Sequence, residues 1–253
     1  MTLADALGMT AEESVALVGG GGKTTAMFRL AREAVDRGGR VITTTTTRIF
    51  GAQIALAPAH VPAAGLTRDR VAAALAAHRH VLVIGPTEAG SGKAEGIALD
   101  LFRLLRAWFP DACLLNEADG SRMRPFKAPA GYEPVIPADT TLVVPVVGAD
   151  VLGAPLDAEH VHRPELVSAL SGAPMGARIT PAIVARVLAH PDGGRKGVPA
   201  GARVVVLINK VDTLADRAPA RETAECLLRE PAIQAVVLAS LRRDDPALEV
   251  CRR

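Results

Sequence analysis

The chain has 253 residues, 49% hydrophobic but only 3% aromatic, enough for a substantial core packed by Val, Leu, Ile and Ala without covalent staples. Its 29 basic and 27 acidic residues leave a formal net charge of +2, a near balance that argues against a nucleic-acid partner. Three cysteines, Cys113, Cys226 and Cys251, have no metal-type spacing and read as buried thiols in a reducing compartment, which excludes a disulfide scaffold.

Taken in chain order, residues 1–14 carry acidic groups early and lack the basic start and apolar run of a secretion signal. No later run reaches the ~18 apolar residues of a membrane span. The expectation is a cytoplasmic protein with no membrane partner. Short apolar, β-branched runs at 14–18, 40–44, 80–84, 112–117, 141–147, 203–209 and 235–238 predict strands. The clearest helix starts after the glycine run at 19–22, buries Ala26, Met27, Leu30, Ala31, Ala34 and Val35 on one face, and stops at Gly38-Gly39. Further helices are predicted over 68–77, 97–108, 165–170, 181–189 and 221–229. Segments 120–137 and 190–201 are rich in Pro, Gly and basic residues and show no period. Strands alternating with helices predict an α/β fold: a doubly wound, mostly parallel sheet of P-loop NTPase type with helices on both faces. Residues 1–253 are read as a single domain with an irregular insertion around 120–137.

The strongest chemical signal is Gly19-Gly20-Gly21-Gly22-Lys23-Thr24-Thr25, between the first strand and the first long helix. Glycines let backbone N–H groups approach phosphate oxygens, and the helix N-terminus adds positive potential. Lys23 is expected to reach the β- and γ-phosphates of GTP or ATP, and the Thr24 hydroxyl to ligate Mg²⁺. The longer G-x-x-x-x-G-K-[ST] pattern would need glycine at position 17, where Leu17 stands; the G-x-x-G-K-T-T loop here is shorter and resembles that of the Mur ligases.

A second element of the expected nucleotide site is Asn209-Lys210-Val211-Asp212, which follows a buried strand and resembles the N-K-x-D segment of P-loop GTPases. A carboxylate only accepts hydrogen bonds, so Asp212 can pair with the N–H donors of guanine. Asn209 would hold the base or its loops, and the Lys210 stem would cover the ring. Glu117 and Asp119 end another strand, where acids face the ligand crevice of such sheets; one of them is expected to hold the metal or act catalytically with Lys23, and the sequence leaves open which. Thr43 to Thr47 read equally as phosphate contacts or as a β-branched strand end with solvated hydroxyls, with Arg48 on the same footing. Lys93, after Gly90-Ser91-Gly92, is a candidate substrate contact. Arg122, Arg124 and Lys127 read as a solvated basic loop or an anion site, and His160 and His162 beside Arg163 as phosphate or substrate contacts before metal ligands.

These segments together resemble the YqeC family. The likeness is carried by Val18 to Thr25, by the threonine run ending in Arg48-Ile49-Phe50, and by Glu117-Ala118-Asp119-Gly120-Ser121-Arg122. It continues through Pro125-Phe126-Lys127-Ala128-Pro129, Glu133 to Pro137, His162-Arg163-Pro164-Glu165 and Asn209 to Asp212. The resemblance implies an accessory protein in the maturation of selenium-dependent molybdenum hydroxylases or their cofactor, with such a hydroxylase or its maturation proteins as partners. Loop lysine, magnesium and ordered amides suit NTP hydrolysis. A small-molecule kinase or activating enzyme and a non-enzymatic nucleotide switch stay open as alternatives.

Overall fold

Runs apolar at every position but too short for a helix bury both faces only inside a sheet, and the computed structural model places them there. It describes residues 1–87 and 92–253. The strands are β1 Ser14–Gly19, β2 Val41–Thr45, β3 Ile49–Phe50, β4 His60–Pro62, β5 His80–Ile84, β6 Lys93–Ala94, β7 Cys113–Glu117, β8 Phe126–Lys127, β9 Leu142–Gly148, β10 Val161–His162, β11 Arg203–Asn209, β12 Ala235–Ala239 and β13 Ala247–Arg252. The helices are α1 Leu3–Ala6, α2 Lys23–Asp36, α3 Gly51–Ile54, α4 Arg68–His78, α5 Leu99–Trp108, α6 Pro164–Ser171, α7 Pro181–Ala189 and α8 Ala218–Leu227.

Nine strands form the main sheet in the order β13-β12-β11-β9-β1-β7-β2-β5-β4. All neighbours pair in parallel except β12 and β13. β1 lies between β7 and β9; from it the chain passes through α2 to β2 on one side, whereas β9 leads on to β11 on the other. The carboxyl end of β1 is therefore at the reversal of winding, where such sheets open a crevice.

Alternate residues of each central strand serve two cores. Val15, Leu17, Cys113, Leu115, Val144 and Leu207 meet α1 and α2 on one face. On the opposite face, Leu114, Ile42 and Val83 pack under α4 and α5, while Val204, Val206 and Ile208 pack under α6, α7 and α8. Helices thus cover both faces, as the strand–helix alternation implies. All the expected strands and long helices form, with boundaries displaced by up to three residues.

The two edge strands, β4 and β13, carry no clear strand signal in the sequence. β4 is three residues long with Pro62 at its end, and β13 carries Glu249 and Arg252 in a run too mixed to stand out. The 120–137 segment is irregular apart from β8, but it is packed: Phe126, Lys127 and Ala128 are buried. The reading of Lys127 as part of a solvated loop is corrected accordingly. Among the described residues, no helix is long and apolar enough to cross a membrane.

Candidate functional site

β1 ends at Gly19 and α2 starts at Lys23, so the glycine run must reverse the chain in three residues. Gly21 and Gly22 have φ of 75° and 132°. A Cβ on Gly21 would collide with the Gly148 backbone, and one on Gly22 with the side-chain amide of Asn209, so only glycine fits this turn. Three loop amides are already used: Gly19 N–H donates to both Asp119 carboxylate oxygens at 3.0 Å, Gly20 N–H to Val146 O at 2.9 Å, and Gly21 N–H to Arg124 O at 3.1 Å. These bonds anchor the loop. The donors that remain for an anion are the amides of Gly22, Lys23, Thr24 and Thr25 at the N-terminus of α2, which no side chain caps.

Lys23 is only 3% exposed. Its ammonium donates to Gly19 O at 2.6 Å and lies 3.3 Å from Asp119 Oδ1 and 3.6 Å from Glu117 Oε1. Burial disfavours its charge, but the Asp119 and Glu117 carboxylates outweigh that penalty and hold its pKa above the ordinary lysine value. The Thr24 hydroxyl donates to Glu117 Oε2 at 2.7 Å and accepts from Gln53 Nε2 at 3.2 Å. This hydroxyl–carboxylate pair is the donor set a hydrated magnesium takes, since that ion keeps several waters and needs few protein oxygens. No cluster of three or more His, Cys, Asp or Glu side chains able to cage a metal occurs among the described residues. Gln53, on α3, carries no sequence signal that links it to the loop.

The two acids have different surroundings. Asp119 bridges Lys23 and Lys127, the latter at 3.1 Å, besides accepting from Gly19. Glu117 faces the threonine hydroxyl. Lys127 also donates to Gly120 O at 2.7 Å and to Glu133 Oε1 at 2.9 Å, and Glu133 in turn pairs with Arg163. Burial opposes the charge on Glu133, but its bond to Lys127 holds the carboxyl below the usual range. β8 and β10 form a parallel ribbon in which His162 stands opposite Lys127, joining the 125–129 and 162–165 segments.

On the far side of the loop, Asn209 Nδ2 donates to Gly21 O at 2.8 Å, and its Oδ1 accepts from Leu241 N–H at 3.1 Å. Asp212 Oδ1 accepts from Ser240 Oγ at 2.6 Å. The structure therefore brings the 209–212 turn and the Ser240-Leu241 turn after β12 to the glycine loop; the second turn was not anticipated and has no distinctive residues. Lys210 points its ammonium at Asp150, 2.7 Å away. A groove of about 490 Å³ opens beside Thr25 and Leu241 and follows α2 past Phe28, Arg32 and Arg242.

Other candidates fall elsewhere. Thr43 Oγ1 bonds His80 Nε2 at 2.9 Å, Thr44 donates to Val83 O at 2.8 Å, and Thr45 donates to Glu117 O at 3.0 Å, so these hydroxyls are buried ties between strands and not solvated. His160 bonds Asp157 at 2.8 Å within its turn, apart from the ribbon partners of His162. Lys93 stands in β6, paired with β3, and Gly90 and Ser91 lie outside the described residues. Cys113 is buried, its thiol pushed up to about 12 by burial, but Cys226 and Cys251 are only half-buried, contrary to expectation.

A mostly parallel sheet wound on both faces, with a glycine loop between its central strand and the helix that follows, defines an α/β protein of the P-loop NTPase-like class. Within it, a family model described as "YqeC protein" matches residues 15–165. A curated relative from Escherichia coli (strain K12), described as "Uncharacterized protein YqeC", is 33% identical over 203 residues, covering 78% of this chain and 75% of that protein. The chain belongs to the YqeC family. The matched span runs from β1 into α6 and takes in the loop, both acids and the ribbon.

Proposed function

We propose that this protein binds GTP or ATP with Mg²⁺ at the Gly19–Thr25 loop and hydrolyses it, as an accessory protein in the maturation of selenium-dependent molybdenum hydroxylases. The observation that carries the nucleotide reading is the convergence on one spot of uncommitted helix amides, the Lys23 ammonium, and the Thr24–Glu117 pair at 2.7 Å. In this reading the amides of Gly22 to Thr25 hold phosphate oxygens, and Lys23 moves from its carboxylate partners to neutralise the β- and γ-phosphates. Glu117 and Thr24 would hold a magnesium ion, which would supply charge neutralisation at the phosphates. Asp119 anchors Gly19 and orients Lys23. Asp212, oriented by Ser240, reads the base. The maturation role is what the YqeC family resemblance implies.

The test is calorimetric titration of the full chain with non-hydrolysable GTP and ATP analogues, with and without Mg²⁺. Binding that depends on magnesium supports the reading; no binding of either analogue at millimolar concentration overturns it. Asp212→Asn turns one acceptor oxygen into a donor and is expected to erase any preference for GTP, because the discrimination rests on an acceptor-only group. An unchanged GTP-to-ATP affinity ratio removes Asp212 from base recognition. The packing of the β8–β10 ribbon against the cradle favours phosphoryl transfer to a small acceptor as a second reading. A phosphorylated acceptor among the products would select it.

A further inference from the structure

We propose that the β8–β10 ribbon carries a second oxyanion site, in which Arg122 and His162, backed by Lys127 and Arg163, hold the phosphate or carboxylate group of a second substrate beside the nucleotide. Its role as a substrate site rests on the nucleotide reading; its existence as an anion site does not.

The register of the ribbon sets His162 directly opposite Lys127. Arg163 follows in the chain, and Arg122 stands two residues beyond Gly120, whose carbonyl accepts from Lys127 at 2.7 Å. Three cations thus belong to the ribbon and the turn that leads into it. Among the described residues two carboxylates pair with these cations: Glu133, shared between Lys127 and Arg163, and Asp119, divided between Lys127 and Lys23. The balance on the ribbon is positive. Burial first, then Arg163 and Lys127, push the His162 pKa down to about 4, so the ring is neutral at pH 7 and offers one N–H without adding charge.

The groups differ in how free they are. Lys127 is committed to three oxygens, and Arg163 to Glu133 and Tyr132, so these two supply potential and rigidity. Arg122 is exposed and makes no ion pair among the described residues. Its planar fork matches a phosphate or carboxylate in a bidentate way. Arg122 and Met123 have φ of 48° and 64°, in the left-handed region that non-glycine residues adopt infrequently. Two residues on, Arg124 O accepts from Gly21 N–H, and Asp119 joins Lys127 to Lys23. An anion on the ribbon is thereby one carboxylate away from the lysine expected to touch the terminal phosphate.

The test uses the full chain with ¹⁵N-labelled histidine, titrated with inorganic phosphate and, separately, with acetate against chloride at equal ionic strength. Lys23→Ala disables the cradle, so phosphate binding that survives in it belongs elsewhere. The expected result is a saturable shift of the His162 ring signals in the Lys23→Ala protein. Adding Arg122→Ala, an exposed substitution that leaves the fold intact, should weaken it about tenfold or more, the cost of one charge-assisted hydrogen bond. A shift with phosphate alone identifies a phosphate-bearing substrate, and one with acetate a carboxylate. His162 signals that respond to neither anion, or respond equally with and without Arg122, overturn the proposal. Phosphate binding on the ribbon in a protein that binds no nucleotide would sink the nucleotide reading and leave the anion site standing; the reverse pattern would sink the site alone.

Discussion

Glu117 and Asp119 are two residues apart, yet their side chains do different work. Glu117 accepts from the Thr24 hydroxyl, whereas Asp119 is enclosed by Gly19 N–H and two lysine ammoniums. Glu117→Gln keeps an acceptor for Thr24 and is expected to fold with nearly unchanged stability while nucleotide affinity loses its magnesium dependence. Asp119→Asn removes the negative charge between Lys23 and Lys127 and is expected to cost about 3–5 kcal/mol, the usual penalty for orphaning a buried charge. Urea unfolding and magnesium titration of both variants check this, and the opposite pattern would exchange the roles given to the acids. Lys23→Ala should lower nucleotide affinity about a hundredfold by removing the charge that neutralises the phosphates; equal affinity in a folded variant would rule out the phosphate cradle.

The strand–loop–helix unit was legible because each part declares itself: an apolar run, a block of glycines and a helix with one apolar stripe at 3.6-residue spacing. What fastens the unit was not. Asn209 is 5% exposed and ties Gly21 O to Leu241 N–H, joining the β1, β11 and β12 ends through one amide. Its place after a strand in N-K-x-D marked it, but the partner turn at Ser240-Leu241 has no composition of its own. Long-range pairing brings it there through the parallel register of β11 and β12. Asn209→Ala would leave a buried carbonyl and a buried amide unsatisfied, and we expect a loss of about 2 kcal/mol. The midpoint of urea unfolding should fall with an unchanged slope; a variant as stable as wild type would mean that water satisfies both groups.

Across the whole molecule, the double winding could be inferred because the buried strands alternate with helices, but not the edges, nor the ribbon, where a two-residue pairing carries no periodicity. Nor does a sequence reveal which histidine becomes buried. His80 opens β5, is 6% exposed, bonds Thr43 Oγ1 at 2.9 Å and lies beside Phe28. Burial lowers its pKa from 6.5 to about 4. Between those values the unfolded chain binds the proton that the folded one refuses, so stability is fully present above pH 6.5 and is lost as the pH falls towards 4. From pH 7 to 4.5 the single group contributes a loss of roughly 2 kcal/mol. His162, also depressed to about 4, adds acid sensitivity in the same window. Comparing wild type with His80→Gln, which keeps a hydrogen-bonding group for Thr43 but cannot titrate, cancels the His162 contribution. Unfolding free energies measured in urea from pH 7 to 4.5 should converge by that ~2 kcal/mol as the pH drops. Parallel pH profiles would mean that the folded state accepts a proton on His80 as readily as the unfolded chain, and that β5 opens to water at its first residue.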